Sequence, residues 1–169
     1  LDAWGGTIAI NNGIDLKRGA GFVPGRSIWI GDHAVLDVAS RAVTGLDGAG
    51  RPFGSVSNGG TIRIGVADLT LDQKGLPGGI TPALVIVRPG AVLDASGESA
   101  AIDLAAGSGP FARSDLRTMP GHGGAIILAS SSGLALDGTL RASGGSAAAG
   151  GSLHVILESA PHIDTDVEA

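Results

Sequence analysis

Two glycines followed by a short alternating apolar run recur along this chain, and that phrase limits its fold more than any other feature. It reads Gly5-Gly6-Thr7-Ile8-Ala9-Ile10, Gly59-Gly60-Thr61-Ile62-Arg63-Ile64, Gly123-Gly124-Ala125-Ile126-Ile127-Leu128 and Gly150-Gly151-Ser152-Leu153-His154-Val155. Gly25-Arg26-Ser27-Ile28-Trp29-Ile30 is a looser copy. Apolar residues at every second position face one side of an extended strand. Helix is opposed on two further grounds. Of 169 residues, 30 are Gly, and Asp outnumbers Glu 13 to 3; both biases favour turns and strand ends over helix interiors. The longest stretch free of Gly and Pro, Asp32 to Thr44, itself carries a strand-like phrase.

A second phrase follows the first: Val35-Leu36-Asp37-Val38-Ala39-Ser40 and Val92-Leu93-Asp94-Ala95-Ser96-Gly97, with Leu71-Asp72 and Leu136-Asp137-Gly138 as partial copies. Eight residues separate Ile28 from Leu36 and Val85 from Leu93, so two short strands joined by a tight turn form a unit. The leading apolar residues fall at 8, 28, 62, 85, 102, 126 and 153. That spacing predicts an all-β solenoid with coils of roughly 20 to 25 residues, six to eight of them, stacked at about 4.8 Å. Two segments that stretch the period, near 43–58 and 107–122, are rich in Gly, Ser, Arg and Pro and read as loops inserted between coils. Within the phrases, Ile62, Ile64, Leu93 and Ala95 are expected to face inward, and Thr61, Arg63, Asp94 and Ser96 outward. The whole of 1–169 reads as one β-solenoid segment, a piece of a longer chain.

Charge and composition exclude several functions. A net charge of −5 with no basic run opposes nucleic-acid binding. No stretch approaches the ~20 apolar residues of a membrane-spanning helix, and a chain without Cys has no disulfide or thiolate metal site. No Ser sits in a nucleophile elbow, neither Lys17 nor Lys74 follows a glycine as in a P-loop, and Gly48-Ala49-Gly50 lacks the rest of a dinucleotide fingerprint. Ile30-Gly31-Asp32-His33-Ala34-Val35-Leu36 matches one hexad of a left-handed acyltransferase helix, but the register fails elsewhere. Among the four histidines, His33, His122, His154 and His162, a metal pair formed by His154 and His162 with Asp164 competes poorly with plain solvent exposure. No cofactor and no metal site is expected.

The phrases Gly90-Ala91-Val92-Leu93-Asp94-Ala95-Ser96-Gly97 and Gly133-Leu134-Ala135-Leu136-Asp137-Gly138-Thr139-Leu140-Arg141-Ala142-Ser143-Gly144 resemble the haemagglutinin repeats of large bacterial exoproteins of the filamentous-haemagglutinin type. The resemblance runs from about residue 5 to 157. It implies a right-handed parallel β-helix, two-partner secretion through an outer-membrane β-barrel transporter, and display or release at the cell surface as an adhesin fibre. The Asn-Pro-Asn motifs of the family's export domain are absent; Asn11-Asn12-Gly13-Ile14 is a faint echo. An interior fibre segment, structural and adhesive and not an enzyme, is therefore the expected function. Its partners would be a host-cell or matrix glycan or protein receptor, or neighbouring coils of the same chain. The alternative is a carbohydrate-active β-helix enzyme, a polysaccharide lyase or hydrolase. In that reading Asp37 and Asp94 stack in one column, flanked by Arg63, Arg88 and Arg141.

The few aromatics mark the candidate contact surface. Phe22, Phe53 and Phe111 each lie beside or near a proline outside the repeats, and Trp29 lies between inward Ile28 and Ile30 and so points outward. Trp29, Phe53 and Phe111 are the candidate partner or glycan contacts. The competing and preferred expectation has the loops fold back, with the Phe rings covering the flank and Trp29 packed beneath them.

Overall fold

The computed structural model describes residues 1–11, 26–66, 83–104 and 114–157. Those residues are all-β: fourteen strands and no helix, most of the strands parallel. Three parallel sheets form the body, and each receives one strand in turn as the chain advances. The first sheet holds β1 (Thr7–Ile10), β6 (Thr61–Ile64), β11 (Ala125–Ser130) and β14 (Ser152–Leu157), in that order. The second holds β2 (Ser27–Ile30), β7 (Leu84–Val87) and β12 (Leu134–Leu136). The third holds β3 (Val35–Asp37), β8 (Val92–Asp94) and β13 (Thr139–Arg141). Two antiparallel hairpins interrupt this rotation, β4 (Ala42–Leu46) with β5 (Pro52–Val56), and β9 (Ser99–Asp103) with β10 (Leu116–Pro120).

Register explains the repeated phrases. Ile8, Ile62, Ile126 and Leu153 are successive partners on the first sheet, Ile28 and Val85 on the second, and Leu36, Leu93 and Leu140 on the third. The inward ladders form the core, which is deepest in the middle pass: Ile62, Ile64, Val85, Val87, Leu93 and Ala95 have no exposed surface. Thr61, Arg63 and Asp94 alternate outward and are half-buried, as expected of a pleated strand. On β14 the same pattern lies open, with Leu153 51% and Leu157 61% exposed.

The paired glycines have a steric cause. Thr61 N–H donates to the Gly6 carbonyl, Ala125 N–H to Gly60 and Ser152 N–H to Gly124, at 2.8–2.9 Å. A Cβ on Gly60 would lie 2.0 Å from the Gly6 oxygen, on Gly124 1.9 Å from the Gly60 oxygen, and on Gly151 1.8 Å from the Gly124 oxygen. Each strand therefore begins where only a bare backbone fits against the strand beneath it. The other corner depends on a side chain. Asp37 Oδ1 accepts the Ala39 N–H and Asp94 Oδ1 the Ser96 N–H, both at 2.9 Å. The aspartate of the Val-Leu-Asp phrase is thus an Asx turn that directs the chain off the third sheet.

Three sequence expectations require correction. A uniform period of 20 to 25 residues is not seen among the described residues: register partners on the first sheet are 54, 64 and 27 residues apart, from Ile8 to Ile62, Ile126 and Leu153. The short count arises because consecutive strands of different sheets share one phrase. Positions 28 and 85 belong to the second sheet, and 102 to a hairpin. Among the described residues there are three passes and the opening strand of a fourth, not six to eight coils. The insertions near 43–58 and 107–122 are built as paired strands where described, and the second begins earlier, at Ser99. Their strands carry no buried stripe, so no hydrophobic period announces them. Finally, Leu136-Asp137 is not the third copy of Leu36-Asp37. Leu136 pairs with Val87, and Leu140-Arg141 occupy that place on the third sheet. Leu71-Asp72 and residues 107–113 lie outside the described residues.

Candidate binding surface

The Asx corner and the hairpin bases meet at one edge of the third sheet. Asp2, Asp37, Asp94 and Arg141 succeed one another there, Asp2 through an isolated bridge to Asp37. Arg141 approaches Asp94 at 3.9 Å. Of the three arginines expected to flank this column, only Arg141 does. Arg63 stands on the first sheet between Ala9 and Ile127, and Arg88 pairs with Asp32 at 2.8 Å. Beside the column, Ser40 is buried; its Oγ accepts the Glu98 N–H, and Glu98 Oε2 accepts the Ala42 N–H at 2.9 Å. These bonds tie the base of the first hairpin to that of the second. Between them lies an open depression of about 270 Å³ walled by Asp37, Ser40, Arg41, Ser96 and Glu98. The Arg41 guanidinium carbon lies 4.2 Å above the centre of the Trp4 ring, and Trp4 remains 57% exposed.

The expected aromatic contacts are divided among different elements. Trp29 points outward from β2, as alternation requires, and is 58% exposed with Arg88 over its ring at 5.5 Å. Arg88 is held in turn by Asp32, whose carboxyl lies below its usual range because of that hydrogen bond. Among the described residues no loop covers Trp29. Phe53 stands on β5 directly opposite Gly45 and closes over that glycine's bare backbone. It covers its own hairpin rather than the flank of the parallel sheets, and is 54% exposed. Phe22 and Phe111 lie outside the described residues. Trp4, Arg41 and Glu98 belong to no repeated phrase; the one sequence sign available is that Trp4 is one of only two tryptophans.

A second, smaller depression of about 170 Å³ lies at the first hairpin's tip, lined by Asp47, Arg51, Phe53 and Asp103. Asp47 accepts N–H bonds from Ala49 and Arg51 and from the Arg51 guanidinium, all within 2.9 Å. The Arg51 backbone N–H, then its side chain, holds the Asp47 carboxyl below the usual carboxylate range. A carboxyl depressed in the folded chain stabilises it above the unfolded value, about 3.9, and loses that effect as pH falls through the lower folded value. Amide NMR shifts of Ala49, Gly50 and Arg51 are therefore expected to titrate together with a midpoint below 3.9. A midpoint at or above 3.9 would contradict the turn geometry.

The histidines are separate from these depressions. His33 is exposed in the β2–β3 turn, His122 Nδ1 accepts the Ala149 N–H at 3.3 Å, and His154 meets Ser152 Oγ at 3.1 Å. His162 and Asp164 lie outside the described residues, and the described residues hold no group of three or more His, Asp or Glu suited to a metal. No described helix is long and apolar enough to cross a membrane. The chain matches no protein-family model, no curated protein and no solved structure.

Proposed function

We propose that the three sheets close into a right-handed parallel β-helix. In this reading the chain is a structural and adhesive segment of a secreted, surface-displayed bacterial exoprotein of the filamentous-haemagglutinin type. The observation that carries the reading is the stacking of like phrases in register, one strand per sheet per pass, on three parallel sheets. Parallel crossovers within a sheet are almost always right-handed, which supplies the hand. A rod of this kind transmits force along its axis through hydrogen-bonded ladders, and hairpins can project from its corners without disturbing the core. Export would run through an outer-membrane β-barrel transporter, and a host-cell or matrix glycan or protein would be the receptor. The open apolar face of β14 suits a further pass stacked on it, whether from the same chain or a neighbour.

Antibodies raised against the purified chain are expected to label intact cells of the organism that encodes it. Labelling that appears only after lysis would overturn the surface reading. Depolymerisation of a polysaccharide by the purified chain, seen as new reducing or unsaturated ends, would replace adhesion with the carbohydrate-active enzyme.

A further inference from the structure

We propose that the two ends of the stacked sheets fit one another, so that a second copy of this chain docks its first pass on the last pass of the copy before it. The inference deepens the fibre reading, on which it rests for the stacking of passes, and it assigns the open face of β14 to one occupant.

Charge gives the first argument. The edge column of the third sheet runs Asp2, Asp37, Asp94, Arg141 in register. Three like charges in succession repel, and only the last step, from Asp94 to Arg141 at 3.9 Å, is attractive. Stacking end to end places Asp2 of the second copy on the open side of Arg141, whose side chain is 60% exposed, and so repeats the attractive step at the junction. It also brings Leu1, 75% exposed beside Leu36, onto Leu140 and continues the leucine ladder.

The first sheet gives the second argument. Its edge strands are β1 and β14, and a sheet edge presents unpaired backbone groups to any strand of matching register. Thr61, Ala125 and Ser152 each donate to the glycine carbonyl one pass earlier, and the Gly151 carbonyl, next in that series, accepts from no donor among the described residues. The Thr7 N–H of a second copy continues the series, with Ile8 set on Leu153 and Ile10 on Val155, both exposed on β14. Sterics single out β1 for this place. A Cβ on Gly60, Gly124 or Gly151 would lie 1.8–2.0 Å from the carbonyl oxygen beneath it. Gly6 holds the same position in β1, yet a Cβ there would meet nothing closer than the Ala3 oxygen of its own turn, at 3.0 Å, and its φ is not positive. A strand stacked on Gly151 needs a bare backbone at that point, and Gly6 supplies it. The second sheet has three strands against four on the first, so the first and third sheets make the contact. Each copy keeps one free end of each kind, and growth does not stop at a dimer.

Sedimentation of the whole chain over a range of concentrations tests the junction. The parent chain is expected to pass from monomer to open-ended species whose mean mass rises with concentration. Gly6→Ala is expected to weaken this association roughly a hundredfold while the circular dichroism stays that of the parent, because nothing in its own chain stands closer than 3.0 Å to the new methyl. Charge reversal keeps the test open should that variant fail to fold. Asp2→Lys alone and Arg141→Glu alone are each expected to associate roughly tenfold more weakly. An equimolar mixture of the two is expected to recover, since every junction between unlike copies then pairs opposite charges. A monomer at every concentration, a closed dimer that grows no further, association indifferent to Gly6→Ala, or a mixture no better than its components would overturn the junction. Surface labelling of cells can succeed while this fails, so the two readings fall separately.

Discussion

Gly124→Ala is expected to destabilise the protein by about 3 kcal/mol, lowering Tm by roughly 6–12 °C. The new methyl would sit 1.9 Å from the Gly60 carbonyl oxygen, the atom that accepts the Ala125 N–H. Neither partner can yield alone. Moving the oxygen breaks the hydrogen bond that opens β11, and moving Gly124 displaces Gly151, which stacks on it with the same geometry. Gly31→Ala is the control, since nothing lies within 4 Å of a Cβ at Gly31, and a change within about 0.5 kcal/mol is expected there. Thermal unfolding followed by circular dichroism separates the two. Equal midpoints for both variants would show that the glycine ladder is not a close-packed contact.

The same ladder shows what the sequence makes legible. A glycine pair ahead of an alternating run indicates a strand whose start admits no side chain, and alternation correctly assigns Ile62, Ile64, Leu93 and Ala95 to the interior. Both are local properties, set within six residues. Which strand stacks on which is not local. Ile8 and Ile28 begin similar phrases yet lie on different sheets, and only the long return to Ile62 completes a pass. A fixed-period search cannot detect this when successive passes contain 54, 64 and 27 residues. The hairpins escape for another reason. β4 and β10 bury no face, so the periodic apolar signal that marks a strand is missing, and backbone pairing alone defines them. The candidate site is less legible still. Asp37 stands out because its phrase repeats, but Arg41 and Glu98 come from separate passages that meet only once the third sheet and the hairpin bases are assembled. Trp29, read correctly as outward, and Phe53 lie on other elements.

The second large effect tests whether the stacked pass is the energetic unit of the fold. Leu93 and Leu153 are both inward-register leucines of repeated phrases, and a reading of the phrases alone would weight them equally. In the structure Leu93 has no exposed surface and lies between Leu36 and Leu140, whereas Leu153 is 51% exposed on β14. Leu93→Ala removes a side chain held from both neighbouring passes and leaves a cavity that two hydrogen-bonded ladders resist closing. The expected loss is about 2–5 kcal/mol, a large share of the ~5–15 kcal/mol that holds a domain together. Leu153→Ala is expected to cost about 1 kcal/mol or less, because much of the side chain never leaves water. Leu93→Asp places a charge with no partner in the same cavity, and the chain is expected not to fold. Denaturant titration of the two alanine variants measures the difference. If Leu153→Ala costs as much as Leu93→Ala, β14 is covered in solution by a further pass or a second copy. If neither costs more than about 1 kcal/mol, the ladders do not hold the passes together and the stacked architecture is wrong.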